Sequence, residues 1–127
     1  MARNPQDNIA ILHRFVEEVL NTGDLSRVED MVSEDFARHD AVRVENGTEE
    51  VKQFLKERHD EYEGLQYTLH QTIAHGDYVA ATLTARGRHR ATGHDVTGSG
   101  MVLVRFQDGK VAEVVSEWDR SGMPAGS

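Results

Sequence analysis

The chain has 127 residues, a net charge of −8 at pH 7 and no cysteine, which suits one domain with a hydrophobic core. The lack of cysteine excludes disulfide bonds, a thiol nucleophile and every zinc or iron–sulfur centre with cysteine ligands. Acidic side chains are concentrated in residues 1–64, which disfavours nucleic acid and anionic membranes as partners. With no secretory signal and no apolar run of about 18 residues, the sequence predicts a cytoplasmic protein.

The first half of the chain has the spacing of helices. Asn4-Pro5 predicts a helix start, because Asn caps the helix and Pro lacks an N–H that would otherwise be unpaired. Asn21-Thr22-Gly23 predicts the end of this helix, since Gly readily adopts the left-handed conformation of a C-cap. A short second helix is expected from Asp24 and a third from Thr48. Residues 34–46 show no clear period and are predicted to be mainly loop, with room for one short strand.

After Gly64 the apolar period changes to two, which indicates strands. Four strands fit this pattern, at residues 65–75, 78–90, 99–106 and 110–118. Gly76-Asp77 and Asp108-Gly109 mark two turns, residues 91–98 are predicted to form a long loop, and residues 121–127 a loose tail. Helices followed by an antiparallel meander define an α+β fold.

The faces of the meander follow from its charges. A two-residue loop in the last hairpin would bury Glu113 and Glu117 without partners, so a three-residue loop over 107–109 is predicted. The resulting uncharged face, expected to meet the helices, carries Gly100, Val102, Val104, Phe106, Ala112, Val114, Ser116 and Trp118. The first hairpin is expected to group Tyr67, Leu69 and Ile73 with Val79, Leu83 and His89.

The opposite face of the meander also carries apolar side chains. These are Met101, Leu103, Val111 and Val115, more than a solvated sheet face usually shows. We therefore expect a second copy of the chain to cover part of this face, which makes the protein a homodimer.

Five short motifs follow one another along the chain. They are Asn-Thr-Gly-Asp at 21–24, Asp35-Phe36 before a His-Asp pair, Gly87-Arg88-His89, Arg105-Phe106 with Asp108-Gly109-Lys110, and residues 119–123. Their order resembles the SnoaL-like polyketide cyclases of the nuclear transport factor two superfamily, over nearly the whole chain. The resemblance implies one SnoaL-like domain, residues 1–127, in which a curved antiparallel sheet forms a cone around three N-terminal helices and encloses a pocket.

The resemblance also implies a chemistry. SnoaL-like cyclases close rings on polyketide intermediates of secondary metabolism, using a carboxylate as acid and base without metal or cofactor. A cofactor-free lyase or isomerase acting on a hydrophobic, oxygenated small molecule is thus the leading functional hypothesis. Counted without gaps from Gly109-Lys110, the catalytic aspartate of the cyclases corresponds to Ser116, and a pocket histidine to Val102.

Two other functions stay open. Because Ser116 and Val102 cannot do the acid–base work of aspartate and histidine, the chain is alternatively a non-catalytic module that binds a small molecule or serves in assembly. A limonene-type epoxide hydrolase, which uses an Asp–Arg–Asp relay around a water, is a further alternative. Arg88 and Asp119 supply two of its three parts.

Candidate catalytic residues are His39, His89 and Asp119. His39 is expected at the pocket mouth, and His89 has the apolar parity of its strand, so either imidazole could transfer protons near neutral pH. Asp119 could replace the missing carboxylate, although strand alternation places it opposite to Ser116. Each also has a structural interpretation, as an exposed loop residue, a strand-end histidine and a turn-fixing carboxylate.

Candidate substrate-binding residues are Phe36, Arg88, Val102, Ser116 and Trp118. Arg88 and Ser116 are expected to bind oxygen atoms of the substrate. Phe36, Val102 and Trp118 would form an apolar wall, although Trp118 equally fits plain core packing. The seven histidines include no His-x-x-x-His or His-x-His motif, so no metal site is predicted.

Overall fold

Helices pack against one face of a six-stranded sheet in the computed structural model, which describes residues 5–39 and 44–119. The helical elements are α1 (Pro5–Phe15) with a π-helical turn after it (Val16–Leu20), a 3-10 turn (Leu25–Arg27), α2 (Val28–Met31) and α3 (Gly47–Glu61). The strands are β1 (Val32–His39), β2 (Val44–Asn46), β3 (Tyr62–His75), β4 (Tyr78–His89), β5 (Asp95–Gln107) and β6 (Lys110–Asp119). The predicted α+β class is confirmed. In the described part of the chain, none of the helices is long and apolar enough to span a membrane.

The first helical segment ends where the sequence predicts. Gly23 has a φ of +69°, and its N–H donates to the carbonyl of Val19 at 2.9 Å. The Asn21 side chain joins this end to β3, because its Nδ2 donates to the Tyr67 carbonyl at 3.1 Å and its Oδ1 accepts from the Tyr67 N–H at 2.6 Å. Asp24 caps the following 3-10 turn. The predicted cap at Asn4 and the tail at 121–127 lie outside the described residues.

The sheet is mixed, not wholly antiparallel. Its order is β2-β1-β6-β5-β4-β3, in which β3 to β6 form the expected meander and β1 runs parallel to β6. The loop predicted for residues 34–46 was therefore largely wrong. The reason is an irregularity in the pairing between Val32 and Ala37, which interrupts the two-residue period by which a strand is recognised in a sequence.

The last hairpin has most of the predicted faces but a different turn, and Val111, predicted on the opposite face, is instead buried in the core opposite Phe106. Asp108-Gly109 forms a two-residue turn with φ values of 52° and 77°, the backbone that Asp-Gly favours between strands. The pairing of β5 with β6 does shift by one residue, as the three-residue loop was meant to achieve. The extra residue is Ala112, which forms a bulge in β6 after the turn. The three-residue loop was wrong, but Val102 still lies opposite Ser116 and both belong to the uncharged face.

Two other strand predictions were also wrong. The long loop at residues 91–98 is shorter, because β5 begins at Asp95 and pairs with the end of β4. Ile73 is 73% exposed instead of facing the helices, since a bulge between Leu69 and Thr72 reverses the alternation of β3. Bulges in β3 and β6 bend these strands, as a curved sheet requires.

The core lies between the helices and the face of β3–β6 that they cover, here called the inner face. Its buried residues are Leu12, Phe15, Val16, Val19, Val28, Met31, Val32, Phe36, Val51, Leu55, Val79, Ala81, Val104, Phe106 and Val111. The opposite side of the sheet is called the outer face. The candidate site residues on β4, β5 and β6 are described below by the face on which they lie.

Candidate ligand-binding site

One half of the inner face is tightly covered and the other half is not. Val104 and Phe106 are buried in the core, whereas the neighbouring inward-facing residues keep partial exposure. These partly exposed residues, here called the open half of the inner face, are Tyr67, Leu69, Val102, Val114 and Trp118. Four of them, Tyr67, Leu69, Val102 and Val114, pack against the core and still keep part of their surface accessible, so the helices cover this half of the face incompletely.

Ser116 lies among the residues of the open half, directly opposite Val102. The residue is 2% exposed, and within the described part of the chain its Oγ has no hydrogen-bond partner. A buried hydroxyl left without a partner costs about 1–3 kcal/mol, and such groups in native proteins call for an explanation. An oxygen atom of a bound ligand would satisfy it.

Two aromatic rings close one end of the open half. Trp118 lies opposite Gly100, and a Cβ added to Gly100 would come within 2.7 Å of the indole Cδ2, so the ring lies directly over this glycine. The Trp118 ring meets the Tyr67 ring edge to face, with centroids 6.1 Å apart. Since β6 and β3 are three strand spacings apart, about 14 Å along the sheet, the two rings reach toward each other across the inner face.

His89 belongs to a different cluster, at the end of β4. Its Nδ1 lies 3.1 Å from the Thr92 Oγ1, and its Nε2 lies 3.4 Å from the Glu61 Oε1. The ring also packs against Tyr62, with centroids 5.5 Å apart. Both ring nitrogens are therefore engaged in linking the β4–β5 loop to the end of α3.

Arg88 and Asp119 lie away from the inner face. The Arg88 side chain is 57% exposed, pairs with Asp95 at 3.5 Å, and lines an open depression of about 400 Å³ together with Glu63. Asp119 is exposed opposite Ser99, on the other side of β6 from Ser116, as alternation predicts. Their pairing partners are four residues apart along β5, about 13 Å, so the structure does not bring Arg88 and Asp119 to one water.

Two candidate site residues, Phe36 and His39, lie on β1. Phe36 is buried in the core among the helices and the covered half of the sheet. His39 is the last residue of β1, where its Cα is level with Val115 of β6, and its side chain lies outside what the structure describes. Of the predicted site residues with described side chains, the structure thus brings together Val102, Ser116 and Trp118.

Asn8 is a buried polar residue that the sequence analysis did not identify as a candidate. It is 1% exposed, and its Oδ1 has no hydrogen-bond partner in the described residues. The available signal was its position four residues before Leu12 and eight before Val16, which puts a polar side chain on the apolar stripe of α1. Within residues 5–39 and 44–119, no three His, Asp or Glu side chains are arranged to hold a metal ion.

The sequence matches the family model of the SnoaL-like polyketide cyclases over residues 10–125. The chain belongs to this SnoaL-like family. Among curated proteins, none matches its sequence.

Several solved structures share this SnoaL-like architecture. TsrD from Streptomyces laurentii is 20% identical, with a TM-score of 0.84 over 95% of this chain and 94% of that chain. An LEH-like epoxide hydrolase from M. tuberculosis is 16% identical, with a TM-score of 0.78 over 94% and 87%. An NTF2-like protein from Burkholderia xenovorans is 16% identical, with a TM-score of 0.76 over 94% and 95%. At these identities the similarity establishes an NTF2-like fold and no particular activity.

The two positions at which the resemblance implies a departure from the cyclases lie together in the sheet. Ser116 and Val102, to which a gapless count assigns the cyclase aspartate and pocket histidine, are direct cross-strand neighbours. Where the resemblance implies an acid–base pair, this chain therefore has a hydroxyl facing an aliphatic side chain.

Proposed function

We propose that this SnoaL-like protein binds a hydrophobic, oxygenated small molecule on the open half of its inner face. The observation that carries the proposal is the buried Ser116 hydroxyl, which has no hydrogen-bond partner among the described residues and lies on a face where β3 to β6 present no Asp, Glu, Lys or Arg. A neutral hydroxyl between valines and aromatic rings favours ketone or hydroxyl oxygens. It disfavours an ionised ligand, because a buried charge without a partner is costly.

Titration with 1-naphthol tests this function. Trp118 is the single tryptophan, so its emission reports ligand at the open half. We expect saturable quenching by 1-naphthol and an affinity about 3–10-fold lower in Ser116→Ala, the net effect of one hydrogen bond. Ser99→Ala, an exposed serine on the adjacent strand, serves as the matched control. Quenching that does not saturate, or that is the same in Ser116→Ala, would contradict the proposal.

Cofactor-free, cyclase-like catalysis is the second candidate, because the chain matches the family model of the SnoaL-like polyketide cyclases. The scheme needs a base for the proton transfer that Ser116 and Val102 cannot supply, in ring closure or isomerisation of a metabolite of the polyketide type. His39 is the sequence-predicted candidate for this base, although its backbone pairs with Val115, a residue of the outer face. His89 and Asp119 have no role in this scheme, since both lie away from the open half.

Isomerisation of 3-cyclohexenone to the conjugated ketone separates binding from catalysis. If His39 is the base, His39→Gln is expected to slow the reaction by about 10²–10⁴-fold, whereas His13→Gln, an exposed control, leaves it unchanged. A protein that binds 1-naphthol through Ser116 but does not isomerise the ketone is a binding module, and the catalytic candidate then fails.

We also propose that the protein forms a homodimer through its outer face. Ile73, Ala80, Leu103 and Val115 lie in register across four strands, with the exposed Met101 beside them. This apolar band runs without interruption from β3 to β6, and a second copy presents the same band, as a two-fold interface requires.

Met101→Lys/Leu103→Lys is expected to convert a dimer into a monomer at micromolar concentration, because two ammonium groups cannot be buried in an apolar interface. Light scattering coupled to size exclusion measures the mass, and Gln53→Lys on the exposed side of α3 is the control. A wild-type mass of 14.2 kDa would contradict the dimer.

A further inference from the structure

Asn8 is a polar residue on the buried stripe of α1. Its neighbours along this stripe are the core residues Leu12, Phe15, Val16 and Val19. Its Oδ1 is buried and has no hydrogen-bond partner within the described residues. A buried amide in this condition weakens folding by a factor of about 10–100, so the fold alone gives no reason for it.

A second asparagine in the same helical segment shows the contrast. Asn21 is also partly buried, but both ends of its amide bond to the backbone of Tyr67. Asn21 is therefore explained by its role in joining a helix end to β3. The Asn8 Oδ1 has no hydrogen-bond partner among the described residues, although α1 contacts β3 and β4.

We infer that Asn8 is a second polar contact for the ligand of the inner face, and that the ligand brings a hydrogen-bond donor to its Oδ1. The inference rests on the proposed function. Asn8 is buried on the core-facing stripe of α1, and Ser116 is buried on the inner face of β6, so each belongs to one of the two layers that enclose the core. The ligand class is thereby narrowed to hydrophobic molecules with at least one hydroxyl or N–H group, since a hydroxyl can accept from the Ser116 Oγ and donate to the Asn8 Oδ1.

A pair of probes that differ only in a donor tests this inference. 1-Naphthol has a hydroxyl, whereas 1-methoxynaphthalene cannot donate. Asn8→Leu is expected to lower the affinity for 1-naphthol by about tenfold and to leave that for 1-methoxynaphthalene within about twofold, because only the naphthol loses a hydrogen bond. Calorimetric titration gives the affinities, and Trp118 emission confirms the location.

Stability provides a readout that needs no ligand. Asn8→Leu is expected to raise the Tm by about 5 °C, because an apolar side chain of similar shape replaces an unpartnered amide. Asn21→Leu, the matched control, is expected to lower the Tm, since it removes two hydrogen bonds.

Four other results would contradict the inference. An equal loss of affinity for both probes, or a lower Tm in Asn8→Leu, would overturn the inference. Binding of 1-naphthol that depends on Ser116 but not on Asn8 would overturn it and leave the proposed function intact. A wild-type protein that binds neither probe would refute the proposed function, and the inference with it.

Discussion

Ser116→Asp is expected to lower the free energy of unfolding by about 3–5 kcal/mol at pH 7, the cost of an uncompensated buried charge. Ser116 is buried, and the residue directly opposite is Val102, which offers no hydrogen bond or countercharge to a carboxylate. The substitution introduces the aspartate that the resemblance to the cyclases implies at this position, without the implied histidine opposite.

The loss of stability in Ser116→Asp is expected to grow as the pH rises. Burial raises the pKa of the new carboxyl in the folded state, whereas in the unfolded chain its pKa is about 3.9. Between these two values the folded state binds a proton that the unfolded state lacks, so stability falls as pH rises above about 4. It becomes level again only above the folded-state pKa.

Urea unfolding between about pH 4 and pH 8 measures this effect. Ser116→Asn, similar in size and uncharged, is the control and is expected to show no added pH dependence. Adding Val102→His to Ser116→Asp places an imidazole directly opposite the carboxylate, so part of the lost stability should return where that imidazole is protonated. Identical pH profiles for Ser116→Asp and Ser116→Asn would mean that position 116 is hydrated and would contradict the buried site.

Gly100→Ala is the second substitution with a large expected effect, a loss of about 1–3 kcal/mol in the free energy of unfolding. A Cβ at this position would lie 2.7 Å from the Trp118 Cδ2 and 2.8 Å from the Glu117 carbonyl oxygen. Because one of these contacts is to the backbone, rotation of the indole cannot relieve both. The strand must shift, and Trp118 must leave its place against Tyr67.

Denaturant unfolding and the emission spectrum of Trp118 measure the two consequences of Gly100→Ala. Affinity for 1-naphthol should fall as well, since the ring closes one end of the open half. Gly87→Ala on β4 is the matched control, because its Cβ meets the nearest atom at 3.2 Å and that atom belongs to Tyr62. An unchanged Trp118 spectrum in Gly100→Ala would show that the ring does not depend on this glycine.

Sequence patterns located the helix ends and most of the meander because caps and turns act between near neighbours. Gly23 has the left-handed conformation, Asp24 caps a turn, and Gly76-Asp77 joins β3 to β4, all as predicted. The uncharged inner face was also predictable, since burying Glu113 without a partner would have been too costly. Val102, Ser116 and Trp118 were assigned to one face on this ground, and the structure confirms that assignment.

By itself, then, the sequence determined the α+β class, the order of the elements and the charge of each sheet face, all of which depend on local spacing and on the cost of burying charge. Only the tertiary structure decided the parallel pairing of β1 with β6 and the bulges that turn Ile73 outward and accommodate Ala112. It also decided which polar groups have partners: Glu61 and Thr92 for His89, Asp95 for Arg88, and none among the described residues for the buried Oδ1 of Asn8 and Oγ of Ser116. These outcomes depend on groups far apart in the chain, whose distances are set only when the layers pack.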